Sequence, residues 1–159
     1  MDKITPWLWF DGNAEEAADF YVDLFPDSQI DTVSRAATDN PSTKKGDVLV
    51  VCFTLAGRHF AGLNGGPQFP FTEAISLQVD CDDQAEVDRY WDALTANGGS
   101  ESRCGWCKDR FGLSWQVVPR RLGELMTSPD RAAAERTMQA MLKMTKIDVA
   151  GLETAARGE

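Results

Sequence analysis

Histidine is almost missing from this sequence: His59 is the only one in 159 residues. A solitary imidazole without clustered carboxylates is poor ground for acid–base catalysis. Its place just after Gly57-Arg58 suits a partly exposed residue at a strand start. Positive charge is also short, with 16 Lys+Arg against 25 Asp+Glu and a net charge of −9. That balance repels phosphate backbones and anionic lipid, so nucleic acid and membrane surfaces are excluded as natural partners. No apolar run approaches the roughly 18 residues of a membrane span. The opening MDKITPWLWF lacks an apolar signal core followed by a cleavage site, so a cytoplasmic protein is expected. Cysteine is limited to Cys52, Cys81, Cys104 and Cys107, expected as free thiols in a reducing compartment. Cys104-Gly105-Trp106-Cys107 has C-x-x-C spacing, open to redox or zinc use. Redox pairs of this kind usually open a helix, whereas this one runs into a strand and turn. A zinc site would have to draw on Cys52, Cys81 or His59, all distant in sequence. Buried or edge-strand thiols are the simpler expectation.

What is present is a pattern of strands and helices. Ile4–Phe10 is aromatic and alternates, placing Trp7 and Trp9 on one face and Leu8 and Phe10 on the other. After Asp11-Gly12, Asn13 with Glu16 has capping-box spacing. Ala17, Phe20, Tyr21, Leu24 and Phe25 then fall on one helical face, stopped at Pro26-Asp27. Strands follow at Gln29–Ala36, Asp47–Ala56 and His59–Asn64, with a polar loop at Thr38–Gly46 and a tight turn at Gly57-Arg58. After Gly65-Gly66 the pattern restarts. Glu73–Cys81 reads as a strand, and Asp82-Asp83 caps a helix with Val87, Tyr90, Trp91 and Leu94 on its inner face. Glu101–Pro119 then folds back on itself over Lys108–Gly112, and beyond the turn Leu113, Trp115 and Val117 alternate with Ser114, Gln116 and Val118. Gln116 is therefore either satisfied by backbone or lining a pocket.

The two halves superpose at an offset of 70, Phe20-Tyr21 falling on Tyr90-Trp91. An internal repeat of strand, helix and several strands is the most informative feature of the chain. A tail follows, in which Ser128-Pro129 is placed to start a helix carrying Met138, Met141, Leu142 and Met144. A short last helix is expected over Asp148–Arg157. A methionine stripe of this kind suits core or a subunit interface, and an interface is the expectation.

The doubled β-α-β-β-β order resembles the vicinal oxygen chelate superfamily of glyoxalase I, bleomycin-resistance proteins and extradiol dioxygenases. The stretches TPWLWFDGNAEEAADFY, FAGLNGGPQFPFTEAISLQVDC and CGWCKDRFGLSWQVVP resemble its PhnB-like branch, often labelled 3-demethylubiquinone-9 3-methyltransferase domains. The resemblance implies an α+β fold of tandem βαβββ modules forming a curved, half-open barrel, plus C-terminal helices. The modules would span 1–66 and 67–119, with a helical extension over 120–159. It also implies a homodimer. In metal-using relatives four strand positions hold a divalent ion, and here they fall at or near Pro6, Asn64, Ser76 and Gln116. None is a histidine or carboxylate, so no metal and no cofactor is expected. No glycine-rich strand-to-helix loop supports a methyl-donor site.

Three readings remain open: metal-independent binding of a small molecule in the barrel cavity, a metal-independent enzyme using Glu73 or Asp109, and a structural or regulatory dimer. The first is preferred, with methyl transfer as a remote alternative. Candidate ligand contacts are Trp7 or Trp9, Asn64, Ser76 or Gln78, Trp106, and Trp115 or Gln116, since alternation turns only one of each neighbouring pair inward.

Overall fold

Period-2 alternation and 3.6-residue periodicity divide the chain into eight strands and five helices in a computed structural model that describes residues 2–159. The expected start of the first module at Met1 lies outside these residues. The chain forms two units, one ending at Phe71 and the other beginning at Thr72.

In the first unit, strand β1 (Trp7–Phe10) leads into helix α1 (Ala14–Leu24), followed by β2 (Gln29–Arg35), β3 (Val48–Leu55) and β4 (Arg58–Asn64). The sheet order is β1-β4-β3-β2, with β1 parallel to β4 and the other pairs antiparallel. Helix α1 buries Ala14, Ala17, Ala18 and Tyr21 against one face of the sheet. There Tyr21 meets Phe53, which in turn stacks on Phe60 at 5.7 Å between ring centroids. The β3–β4 hairpin closes through Ala56 and Gly57, both at positive φ (46° and 80°), the two-residue geometry that matches strand twist. Asn13 was expected to cap α1, but its side chain makes no capping bond. Asn64 Oδ1 takes the Ala14 N–H instead, at 2.9 Å, because pairing of Phe10 with Asn64 brings that amide to the helix start.

The second unit repeats the plan. Strand β5 (Ser76–Cys81) precedes α2 (Gln84–Thr95), then β6 (Ser100–Glu101), β7 (Trp106–Lys108) and β8 (Ser114–Pro119), in sheet order β5-β8-β7-β6. Parallel β5/β8 pairing reproduces that of β1/β4, and β5 and α2 follow β1 and α1 at an offset of 70, so the strand-helix start of each half is a structural repeat, while the shorter second half brings β8 in sooner. Asp83 caps α2 by accepting from Glu86 N at 2.9 Å, while Glu86 Oε2 accepts from Asp82 N. Val87, Tyr90, Trp91 and Leu94 are all buried on the inner face.

Helices α3 (Arg120–Met126), α4 (Arg131–Met141) and α5 (Val149–Arg157) complete this unit. The cap of α4 is Asp130, accepting from Ala133 N at 3.1 Å, whereas the Ser128 hydroxyl only accepts from Asp130 N. Leu122, Ile147 and Leu152 form a buried cluster with Val118, Leu125, Met126, Met141 and Met144 packed on it. Two members of the methionine stripe thus fill the unit's own core, while Met138 and Leu142 stay exposed. No helix among the described residues is long and apolar enough to cross a membrane.

Candidate functional site

In each unit one face of the sheet carries the helix and the other is open. Pleating decides which side chains reach the open face, because directly paired residues share a face. In the second unit Ser100, Lys108, Ser114 and Ser76 pair in a row across the four strands, and Trp106, Gln116 and Gln78 form the next row. Trp115, Cys107 and Glu101 alternate to the helix side, where the Glu101 carboxylate accepts from Trp91 Nε1 at 2.7 Å.

The open rows bound a pocket of about 230 Å³. Ser100, Ser102, Ser114, Lys108, Trp106 and Glu73 line it, together with Glu101 and Cys107. Ser114 is 1% exposed, and its Oγ has no hydrogen-bond partner among the described residues. It is also the only buried side-chain polar atom so placed among them. Such a hydroxyl is costly to leave unpaired, which singles this atom out. Lys108 Nζ is ion-paired with Glu73, whose carboxyl is held below the usual range chiefly by that bond. Burial, then the Asp109 and Glu101 carboxylates, push the Cys107 thiol up to about 12, so it remains protonated at neutral pH.

The remaining candidates take varied places. Gln116 Nε2 donates to Ser76 Oγ at 2.9 Å, so these two half-buried residues engage each other. Gln78 is exposed and bonds Asp80 at 2.7 Å. Trp115 is buried, its Nε1 donating to Asp109 Oδ2 at 2.9 Å. Asp109 is itself 2% exposed, and its Oδ1 accepts from Phe111 N and Leu113 N. This carboxylate builds the turn into β8 and is committed to structure.

In the first unit Trp7 is 58% exposed on edge strand β1. Trp9 Nε1 donates to Gly66 O at 2.8 Å, and its ring lies so close to Gly65 that a Cβ there would sit 2.3 Å from Cε2. The Gly65-Gly66 pair therefore seats an indole. Asn64 is buried on the helix side, where Nδ2 donates to Val48 O at 2.9 Å while Oδ1 holds Ala14 N. On the open face, the Thr54 hydroxyl donates to Asp31 Oδ2 at 2.7 Å and lies 2.9 Å from His59 Nδ1. With its one proton given to Asp31, the Thr54 hydroxyl is left to accept from Nδ1–H of the ring.

The positions assigned to a metal do not fit one. Pro6 has no side-chain donor, Asn64 is consumed by the helix start and Val48, and Ser76 and Gln116 bond each other. Among the described residues no group of three or more His, Cys, Asp or Glu is placed to hold an ion. The C-x-x-C pair serves a local turn: Cys104 N and Gly105 N donate to Met144 O and Thr145 O, each at 2.9 Å. Cys104 has φ +59° and Gly105 φ +83°, where a Cβ on Gly105 would meet Val117 O at 2.9 Å. Sequence reasoning missed Ser114, Lys108 and Ser100 as a row. Their signal was present in the alternation after Gly112 but needed the strand register to be read.

Comparison with known proteins agrees with this fold. A family model described as 3-demethylubiquinone-9 3-methyltransferase matches residues 2–118, so α3 to α5 lie beyond it. A putative 3-demethylubiquinone-9 3-methyltransferase, PhnB protein, from Bacillus cereus is 35% identical, with a TM-score of 0.67 over 74% of this chain and 99% of its own. Protein PA1353 from Pseudomonas aeruginosa is 24% identical, with a TM-score of 0.55 over 75% and 98%. The fosfomycin resistance protein FosX from Listeria monocytogenes, solved with Mn(II), shares the fold at 18% identity, with a TM-score of 0.50 over 74% and 93%. No curated protein matches significantly. The chain belongs to the 3-demethylubiquinone-9 3-methyltransferase family, which its 35% identity to the PhnB protein also supports.

Proposed function

We propose that this chain is a metal-independent binding protein for a small molecule, taken into the pocket on the open face of the second sheet. The observation that carries the reading is the pocket of about 230 Å³ itself, with Ser100, Ser102, Lys108, Glu73 and Trp106 in its lining. Metal independence follows from donor chemistry, since the superfamily's ligand positions carry proline, two amides and a serine. An enzyme acting through Glu73 is the second reading, because that carboxylate does line the pocket. Its ion pair with Lys108 lowers its proton affinity and makes it a weak base. Methyl transfer is disfavoured: the strand-to-helix turns, Asp11–Asn13 and Asp82-Asp83, are acidic and contain one glycine, Gly12. A homodimer is part of the proposal, supported by apolar side chains left exposed at Ile4, Trp7, Phe69, Met138 and Leu142.

Native mass spectrometry of the freshly purified protein tests ligand, metal and oligomeric state together. A co-purified small molecule on a dimer, without stoichiometric metal, is the expected result. A divalent ion at one equivalent per chain would overturn the metal-independent reading, and a monomer would remove the dimer.

A further inference from the structure

The connection between α4 and α5 is tied to the second unit on two sides. On one side, Cys104 N and Gly105 N donate to Met144 O and Thr145 O, each at 2.9 Å. On the other, Gln84 of α2 grips it through both ends of its amide. Its Nε2 donates to Ile147 O at 3.0 Å, and its Oε1 accepts from Val149 N at 2.8 Å. One turn along α2, Asp88 Oδ1 pairs with Lys146 Nζ at 2.8 Å. That bond is the main reason the carboxyl is held below its ordinary value and the ammonium above it. Between the two sides Ile147 is 0% exposed, and a Cβ on Gly105 would lie 3.1 Å from its Cγ1.

The turn held in this way carries a wall of the pocket. Ser102 N donates to Trp106 O at 2.9 Å and Trp106 N to Arg103 O at 3.0 Å, so residues 102–106 close on themselves. Ser102 and Trp106 both line the pocket. The amides between them, those of Cys104 and Gly105, go instead to the α4–α5 connection, while Gly105 O accepts from Val117 N of β8 at 2.8 Å. Cys104 at φ +59° and Gly105 at φ +83° take left-handed backbone. A cysteine pays for that conformation and keeps it only where its surroundings over-determine it. Met144 O, Thr145 O and the Ile147 side chain are those surroundings.

Resting on the binding reading above, we infer that the α4–α5 connection, Met144 to Asp148, is a positioning element for the pocket: it fixes the turn that sets Ser102 and Trp106 in the lining. Gln84 and Ile147 are the positioning residues, and neither lines the pocket itself. The family model ends at residue 118, so this wall is shaped by residues outside the matched region, and its fit to a ligand is a property of the extended chain.

Fluorine NMR of the full chain labelled with fluorotryptophan tests this, the Trp106 signal being assigned with Trp106→Phe. Gln84→Met removes both amide bonds at a half-buried position. Ile147→Val removes a single carbon beside Gly105 and keeps a mild second variant in hand. Met138→Ala, on the exposed side of α4, is the control. In both variants amide exchange at Cys104 and Gly105 should quicken roughly tenfold. The Trp106 signal should shift or broaden with it, while those of Trp7 and Trp9 in the first unit hold, and the control should change neither. A Trp106 signal that stays fixed while the two amides quicken refutes the inference, and so does unchanged exchange in both variants. Movement of Trp106 in Met138→Ala as large as in Gln84→Met also refutes it, as a general response of the helical extension. No ligand enters these measurements, so their outcome is separate from the binding reading, which native mass spectrometry decides.

Discussion

Removing one oxygen atom, in Ser114→Ala, should make the protein more stable. Ser114 is 1% exposed and its Oγ bonds nothing among the described residues, so folding strips the hydroxyl of water without compensation. A buried unsatisfied polar group of this kind costs about 1–3 kcal/mol. Alanine loses only the few dispersion contacts of one oxygen, which leaves a net gain of about 1 kcal/mol. For a chain of this length that corresponds to roughly 2–4 °C in Tm. Urea unfolding followed by tryptophan emission measures the effect. A loss of 1 kcal/mol or more in the ligand-free variant would refute the reasoning, because it would mean that the hydroxyl is already satisfied within the fold.

Other outcomes follow from neighbouring groups. Asp109→Ala should destabilise by about 2–6 kcal/mol, since it strands two buried donors, Leu113 N and Trp115 Nε1, at about 1–3 kcal/mol each; a loss under 1 kcal/mol by urea titration would show that the turn into β8 does not depend on it. Cys81 and Cys107 thiols, both pushed up to about 12 mainly by burial, should resist iodoacetamide at pH 8 in the native protein, and rapid native labelling of either would contradict their placement. Asp31 is held below the usual carboxylate range, first by the Thr54 hydroxyl, so its contribution to stability is complete above the unfolded value near ~3.9 and disappears as pH falls through the lower folded value. Asp31→Asn should accordingly narrow the stability gap between neutral and strongly acid solution, and an unchanged pH profile would remove Asp31 from the titration.

The local pattern of the sequence was enough to determine most of the architecture. Alternation in Leu113–Val118, helical periodicity in α1 and α2, and the Asp83–Glu86 cap depend on neighbours within a few residues, and these elements lie where that pattern places them. The doubled strand-helix-strand order was equally legible, because each half repeats the same burial demands, its first strand and helix at an offset of 70. Alternation states that Trp115 and Gln116 face opposite ways but not which face the helix covers. That depended on α2 packing against β8, with Trp115 buried and Gln116 beside Ser76. Contacts between residues far apart in sequence decided the rest. Asn64 became the cap of a helix starting 50 residues earlier, Met141 and Met144 joined a core with Leu122 and Ile147, and Ser100, Lys108 and Ser114 came into one row. Each of these depends on strand register or helix docking, which local propensity does not encode. The unpaired Ser114 hydroxyl belongs to the same class, since only packed surroundings turn an ordinary strand serine into a buried atom in need of a partner.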